Sequence, residues 1–273
     1  MTETQASPQI YTRLGDSPLV LSMPHSGTHI PPDIDENMNA RGREQTDCDW
    51  RVEALYAPLA EALDASVVMT PFSRYVIDVN RDPSGVSLYP GQATTGLVPE
   101  TDFDGAPLWR TDITSDDIED RKSKYFNPYH DHLQATIERV QARHGFAVLY
   151  DCHSIRSRVP RLFDGELPVL NLGTYGGRSC APEIEAAARQ VVETAPFSHV
   201  VNGRFQGGWI TRHYGDPDNH VHAVQMELAQ SAYLAEEAPP WMLDPAKADR
   251  LRQTLGAVLR AIVHAAQGLS HAR

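Results

Sequence analysis

At 273 residues and 41% hydrophobic, the chain can bury one large core, and its composition gives no sign of disorder, so a single α/β domain spanning 1–273 is expected. A formal net charge of −12, with no run of Lys and Arg to track a phosphate backbone, excludes nucleic acid as a partner. No basic cluster precedes an apolar stretch and no apolar run approaches spanning length, so neither a signal peptide nor a membrane segment is expected and the cytoplasm is the default compartment.

In chain order, the first signal is LVLSM at 19–23, a short apolar run that breaks at Pro24 and is followed at once by His25-Ser26-Gly27. DWRVEALYAPLAEALD then places Val52, Leu55, Tyr56, Leu59 and Leu63 on one side of a helix, with Thr46 and Asp47 as cap candidates. SVVMTPF and YVIDVN have strand character, and a polar segment marked by Pro and Gly from Arg81 to Leu108 predicts a long loop of the kind that covers sites. A helix follows, capped by Ser115 and stopped by Gly145, with Tyr125, Tyr129, Leu133, Ile137 and Val140 as its apolar stripe and Pro128 as a point of kinking or splitting. FAVLYD, PVLNLG, HVVNG and VHAVQMEL predict further strands. PEIEAAARQVVET predicts a helix, and a last helix runs from about Pro245 to Ala266. Strands alternating with helices predict a mostly parallel sheet wrapped by helices. Cys48, Cys152 and Cys180 are odd in number and widely spaced, which suits reduced thiols rather than a disulfide framework.

In open parallel sheets the ligand crevice lies beyond the carboxyl ends of the strands. The unusual polar residues of this chain cluster at those ends: His25 after LVLSM, Asn80 and Arg81 after YVIDV, Asp151 to Ser154 after FAVLY, and Glu227 after HAVQM. Two histidines and a carboxylate, with a second carboxylate that is not a ligand, make the kit of a hydrolytic zinc centre. Three protein ligands there leave a fourth position for water, whose pKa falls to about 7. The competing reading is that His25 and His153 are ordinary, hydrogen-bonded strand-end histidines.

Other chemistries fit poorly. The chain has no G-x-S-x-G elbow and no G-x-G-x-x-G fingerprint, and GQATTGLV carries Leu97 where a phosphate loop needs lysine. Cys152 and His153 are strand neighbours that point to opposite faces, so they make an awkward nucleophile pair.

PHSGTHIP, TDCDW, SRYVIDVNRDP, LYPGQATTGLVP, DCHSIRSRVPRLFDGELPVLNLGT, NGRFQGGWITRHYG and HAVQMELAQSAY, in order from about Leu19 to Tyr233, resemble the N-formylglutamate amidohydrolase family. The resemblance implies an α/β three-layer sandwich related to zinc carboxypeptidases and aspartoacylases, in which a mostly parallel mixed sheet is flanked by helices. DVNR is similar to the carboxypeptidase Asn-Arg that binds a carboxylate, CHS to the late histidine ligand, and QMEL to the catalytic glutamate. Carried over, His25 and His153 become ligands of one zinc ion, although other divalent metals would suit the same residues. Thr28 stands where carboxypeptidases place their glutamate ligand, so the carboxylate comes from elsewhere, and TDCDW offers Asp47 and Asp49. The resemblance favours Asp49, with Asp47 as a cap or a partner behind the ligands, yet either aspartate also suits a helix start.

Glu227 is the implied general base and acid. Arg81, assisted by Asn80, suits a substrate carboxylate through a two-pronged contact. A second carboxylate needs more cations, for which Arg156, Arg158, Arg161, Arg204 and Arg212 are candidates, while Arg74 would stabilise an oxyanion or pair with an acid. Asp78 would orient a ligand or an arginine from within its strand, and Gly207 and Gly208 would allow close backbone approach. His29, His213 and His222 are weaker ligand candidates. The implied activity is hydrolysis of N-formyl-L-glutamate, a small dianion, to formate and L-glutamate in histidine degradation. A deacylase of another N-acyl amino acid and a non-catalytic small-molecule binder are the alternatives. No oligomeric state is implied.

Overall fold

A computed structural model describes residues 8–87, 91 and 93–271. Residues 88–90 and 92, which belong to the predicted loop and to the LYPGQATTGLVP and GQATTGLV motifs, lie outside the described residues. In chain order the elements are β1 (Tyr11–Arg13), β2 (Leu19–Met23), α1 (Pro32–Asp35), α2 (Ala40–Arg43), α3 (Val52–Ala62), β3 (Ser66–Met69), α4 (Ser115–Arg121), α5 (Asn127–His144), β4 (Ala147–Ile155), β5 (Leu170–Gly173), α6 (Pro182–Thr194), β6 (His199–Val201), α7 (Trp209–Tyr214), β7 (Val221–Ala229) and α8 (Pro245–His271).

The strands form one seven-stranded sheet in the order β1-β3-β2-β4-β7-β5-β6. β2 pairs in parallel with β3 and β4, β4 with β7, and β5 with β6; β1 and β5 run antiparallel to β3 and β7. This is the mostly parallel mixed sheet expected. Side chains alternate between its faces. Val148, Tyr150 and Cys152 of β4 join Val224, Met226 and Leu228 of β7 in a core against α3, α6 and α8. Ala147 and Leu149, with Val221 and Ala223, pack on the opposite face against α5 and α7. Helices on both faces complete the three layers.

Several sequence expectations are corrected. YVIDVN is not a strand: residues 75–80 form buried turns whose backbone and polar side chains serve the site. Neither Thr46 nor Asp47 caps α3, which begins from Arg51 in a left-handed conformation (φ 65°) without a side-chain cap. Ser115 is the first residue of α4 rather than its cap. Thr114 is the cap, and it exchanges hydrogen bonds with Asp117 in the reciprocal arrangement that the T-x-x-D spacing permits. The predicted long helix is divided by a π-helical turn over Lys122–Phe126, just before Pro128, which has no N–H to give the carbonyl four residues back. Gly145 ends α5 at φ 78°, as expected of a left-handed terminating glycine. β1, α1, α2 and α7 are too short to register as periodic patterns.

Candidate active site

Strand alternation carries the core face of the sheet into a polar face at its carboxyl end. Asp151 and His153 continue the row of Ala147 and Leu149, Gln225 and Glu227 continue that of Val221 and Ala223, and His153 stands directly opposite Glu227 in the ladder. His25 arrives from β2 through Pro24. The exit of β2 lies flat on the neighbouring backbone, because a Cβ at Gly27 would fall 2.4 Å from Pro71 C and 2.5 Å from Thr70 O. The Asp49 N–H donates to His25 O at 2.9 Å, which ties the turn before α3 to this exit.

His25, Asp49 and His153 are all buried, and their ligand-type atoms lie within 4.8 Å of one another. Asp49 Oδ2 is 3.7 Å from His25 Nδ1 and 3.1 Å from His153 Nδ1. Behind each ring stands a carboxylate: Asp78 Oδ1 is 2.7 Å from His25 Nε2, and Asp151 Oδ2 is 2.9 Å from His153 Nε2. A carboxylate can only accept, so both Nε2 atoms carry hydrogen; His153, bonded to a carboxylate through each ring nitrogen, donates from Nδ1 to Asp49 as well, and His25 Nδ1 is the ring nitrogen left with a lone pair facing Asp49. Asp151 accepts a second bond from Ser22 Oγ at 2.7 Å, and Ser22 Oγ lies 2.8 Å from Tyr129 OH. Asn80 Nδ2 also approaches His153 Nε2, at 3.0 Å.

His25 Nδ1, which faces Asp49, and the second carboxylate oxygen of Asp49, Oδ1, are buried without a hydrogen-bond partner. Orphaned buried acceptors are costly. Two imidazole nitrogens and a carboxylate, each histidine backed by a carboxylate, are the donor set and the outer support that suit a zinc-type cation, so these residues can hold a metal ion. Burial alone would depress His153, but Asp151 and Asp49 override it and hold its pKa well above the usual value. Burial and the Arg74 charge lower His25.

Asp78 is a hub. Besides His25 it accepts from Arg74 Nη2 at 2.7 Å and from the Asn80 N–H at 2.9 Å, and Arg81 Nη1 lies 3.6 Å away. Burial opposes its charge, yet Arg81, His25 and Arg74 hold its pKa well below the carboxylate range. Arg74 also donates to Asp47 O at 3.2 Å, lies 3.7 Å from Asp49 Oδ1 and covers the Phe103 ring. Asp47 is turned away from the histidines: it accepts from the Phe103 N–H at 2.7 Å, and burial raises its pKa to about 6. Burial also pushes Glu227 up, to about 8, with His153 opposing and Asp49 adding.

A cleft open to solvent reaches this cluster, and its walls include His25, Arg74, Asn80, Arg81, His153, Arg204 and Glu227. Its apolar wall is Phe103, Ile155, Leu162 and Phe205. The other arginines singled out in the sequence stand elsewhere. Arg156 pairs with Asp104 at 3.0 Å, Arg158 with Glu166 at 2.6 Å, Arg161 is exposed beside Gly105, and Arg212 donates to Gly207 O and covers Tyr175. His29 meets the edge of Phe72, His213 stacks on Trp209, and His222 accepts from the Ala181 N–H. Gly208 lets the backbone lie against the Asn80 side chain, since a Cβ there would fall 2.3 Å from Asn80 Nδ2.

Residues 17–234 match the sequence profile of the N-formylglutamate amidohydrolase family. A relative from Pseudomonas aeruginosa, named N-formylglutamate deformylase, is 46% identical over 251 residues, covering 90% of this chain and 94% of its own. The chain belongs to the N-formylglutamate amidohydrolase family. A second N-formylglutamate deformylase, from Pseudomonas putida, is 45% identical over 82% of this chain and 85% of its own. The crystal structure of N-formylglutamate amidohydrolase from Ralstonia eutropha superposes with a TM-score of 0.76 at 24% identity, covering 93% of this chain and 97% of that one, and establishes the shared fold. A protein from Agrobacterium tumefaciens shares it at a TM-score of 0.72 and 16% identity, covering 96% of each chain.

Sequence reasoning about this family member passed over Ser22, Tyr129, Thr95 and Gln225, and it gave Asp151 no role. A signal for two of them was present. D-x-H and Q-x-E spacings on strands put Asp151 beside His153 and Gln225 beside Glu227 on one face. Ser22, Tyr129 and Thr95 are joined to the site only by folding.

Proposed function

We propose that the protein is a zinc-dependent deformylase that hydrolyses N-formyl-L-glutamate to formate and L-glutamate, acting in the cytoplasm as a step of histidine degradation. The observation that carries this reading is the pair of orphaned buried acceptors, His25 Nδ1 and Asp49 Oδ1, beside a cavity whose wall includes His25, His153, Glu227 and three arginines. Family membership supplies the substrate.

His25, Asp49 and His153 would hold the zinc ion, which supplies Lewis-acid activation of water and of the amide carbonyl. Glu227 takes a proton from the attacking water and passes it to the departing nitrogen, so that the C–N bond of the formamide breaks as formate forms. A pKa that burial has raised suits this exchange; positive charge at the three ligands would draw it back toward neutrality. Arg74 holds the oxygen that becomes negative, and it is fixed for the purpose by Asp78. Arg81 and Arg204 receive the two substrate carboxylates, while Asn80 is committed to support, accepting the Ile210 N–H at 2.8 Å. Phe103, Ile155, Leu162 and Phe205 keep bulk water from the reacting bond.

The test is formate release from N-formyl-L-glutamate by protein stripped with a chelator and then resupplied with zinc, with N-acetyl-L-glutamate as the comparison substrate. Activity should vanish and return, with the formyl compound preferred. Zinc binding without formate release would leave the metal site standing and sink the substrate assignment.

A further inference from the structure

Two arginines on the cavity wall, 123 positions apart in sequence, are fastened to the same short piece of chain. Arg81 gives Nε to Thr95 O at 2.9 Å and Nη2 to Thr95 Oγ1 at 3.1 Å, while its Nη1 bonds Asn80 O at 3.2 Å. Arg204 gives Nη2 to Ala93 O at 2.8 Å and Nε to Leu162 O at 3.1 Å. Ala93, Thr94 and Thr95 themselves face the cavity, and Thr95 is buried. An arginine side chain has about 2 kcal/mol of rotamer entropy to lose, so a guanidinium anchored in advance binds a carboxylate with less ordering cost. Backbone carbonyls and the Thr95 hydroxyl supply that anchorage, and Arg81 Nη1 also lies 3.6 Å from Asp78 Oδ2. Two cations held at a set separation discriminate between diacids by the separation of the carboxylates, since a mismatched diacid leaves one desolvated charge unpaired.

We propose that residues 93–95 act as a ruler: by holding Arg81 and Arg204 in fixed relation, they make the site select N-formyl amino acids whose carboxylates have the glutamate spacing over those with the aspartate spacing. Thr95 is then a positioning residue for specificity, acting through Arg81. The inference rests on Arg81 and Arg204 being the carboxylate partners of a formylated amino acid.

Thr95→Val keeps the shape and the backbone carbonyl and removes only the hydroxyl contact with Arg81. For one lost hydrogen bond to a charged group, KM for N-formyl-L-glutamate should rise about tenfold with a smaller change in kcat, and the preference in kcat/KM over N-formyl-L-aspartate should fall about fivefold or more. Thr95→Ser restores the hydroxyl and should restore the preference. A merely structural role would lower the thermal midpoint and weaken turnover of both substrates alike, so an unchanged ratio in Thr95→Val overturns the ruler. Should that variant not fold, Arg204→Lys, which keeps the charge and loses the two-point anchorage, must lower the same ratio, and an unchanged ratio there overturns it equally. Wild-type protein that releases formate from neither compound would instead remove the functional reading on which the ruler stands.

Discussion

Replacing Asp151 by Asn should weaken the hold on zinc by about a hundredfold, toward the upper end of the ten- to hundredfold cost usual for removing a carboxylate behind a metal-binding histidine. The upper end follows from the charge setting. Asp78, behind His25, shares its charge with Arg74 at 2.7 Å and Arg81 at 3.6 Å. Asp151, behind His153, is fully buried and has His153 and the neutral Ser22 hydroxyl as its hydrogen-bond partners, so more of its charge is expressed on the ring it holds. Asparagine is nearly isosteric. Its oxygen can accept from His153 Nε2, and its amide can donate to Ser22 Oγ, which turns to donate to Tyr129. The substitution therefore removes the charge and leaves the network closed. A hundredfold change corresponds to about 2.7 kcal/mol. Competition between metal-free protein and a chromogenic zinc chelator measures it, with the thermal midpoint of the metal-free protein as the control for general damage. Zinc affinity within about threefold of wild type, with the midpoint preserved, would refute the charge argument. Asp78→Asn is the contrast: it leaves Arg74 buried beside a neutral partner, so its main effect should be a loss of about 3–5 kcal/mol in stability.

Three further outcomes are expected. Glu227→Gln should lower kcat by about a hundred- to ten-thousandfold while zinc affinity stays at the wild-type value; retained turnover would remove Glu227 from proton transfer. Gly208→Ala would put a Cβ 2.3 Å from Asn80 Nδ2 and should cost about 1–3 kcal/mol in thermal unfolding, with a larger fractional loss of activity because Asn80 borders His153. Burial lowers the His130 pKa to about 4, with its Nε2 bound to Val79 O and its Nδ1 facing Tyr214 OH. Because the folded pKa lies below the unfolded value, His130 is neutral in both states above about pH 6.5 and costs nothing there. Between that pH and about 4 the unfolded chain takes up a proton that the folded chain refuses, so stability falls by up to about 1.4 kcal/mol per pH unit. His130→Gln should flatten the decline of the thermal midpoint over this window; equal slopes would contradict the assignment.

The sheet was legible because its determinants are local. The short apolar runs in LVLSM, FAVLYD and VHAVQMEL became β2, β4 and β7, and the residues at their carboxyl ends were named from position alone. His25, Asp49, His153 and Glu227 do converge, and so do Arg74, Asn80, Arg81 and Arg204. Arg156, Arg161 and Arg212 show the boundary of that reasoning: an arginine beside a motif is near the site in sequence, but whether Asp104, open solvent or Tyr175 receives it depends on loop paths that no periodicity encodes.

YVIDVN failed for a more instructive reason. Tyr75, Val76, Ile77 and Val79 are as buried as any strand, so the apolar signal was correct about burial. Backbone that joins a sheet satisfies its polar groups in the ladder, whereas here the 75–80 backbone is satisfied by side chains and by loop backbone. Val79 O is bonded by His130, Val76 O by Arg121, the Asp78 N–H by Leu97 O, and the Asn80 N–H by the Asp78 carboxylate. A strand there would have pointed Asp78 and Asn80 to one face and left His25 or His153 without its neighbour. As turns, the same six residues supply the acceptor for His25, the anchor for Arg74 and the side chain beside His153. The local preference for strand was outweighed by polar groups that only an irregular path could pair, which is why the place where pattern reading was wrong is also the place where the site is built.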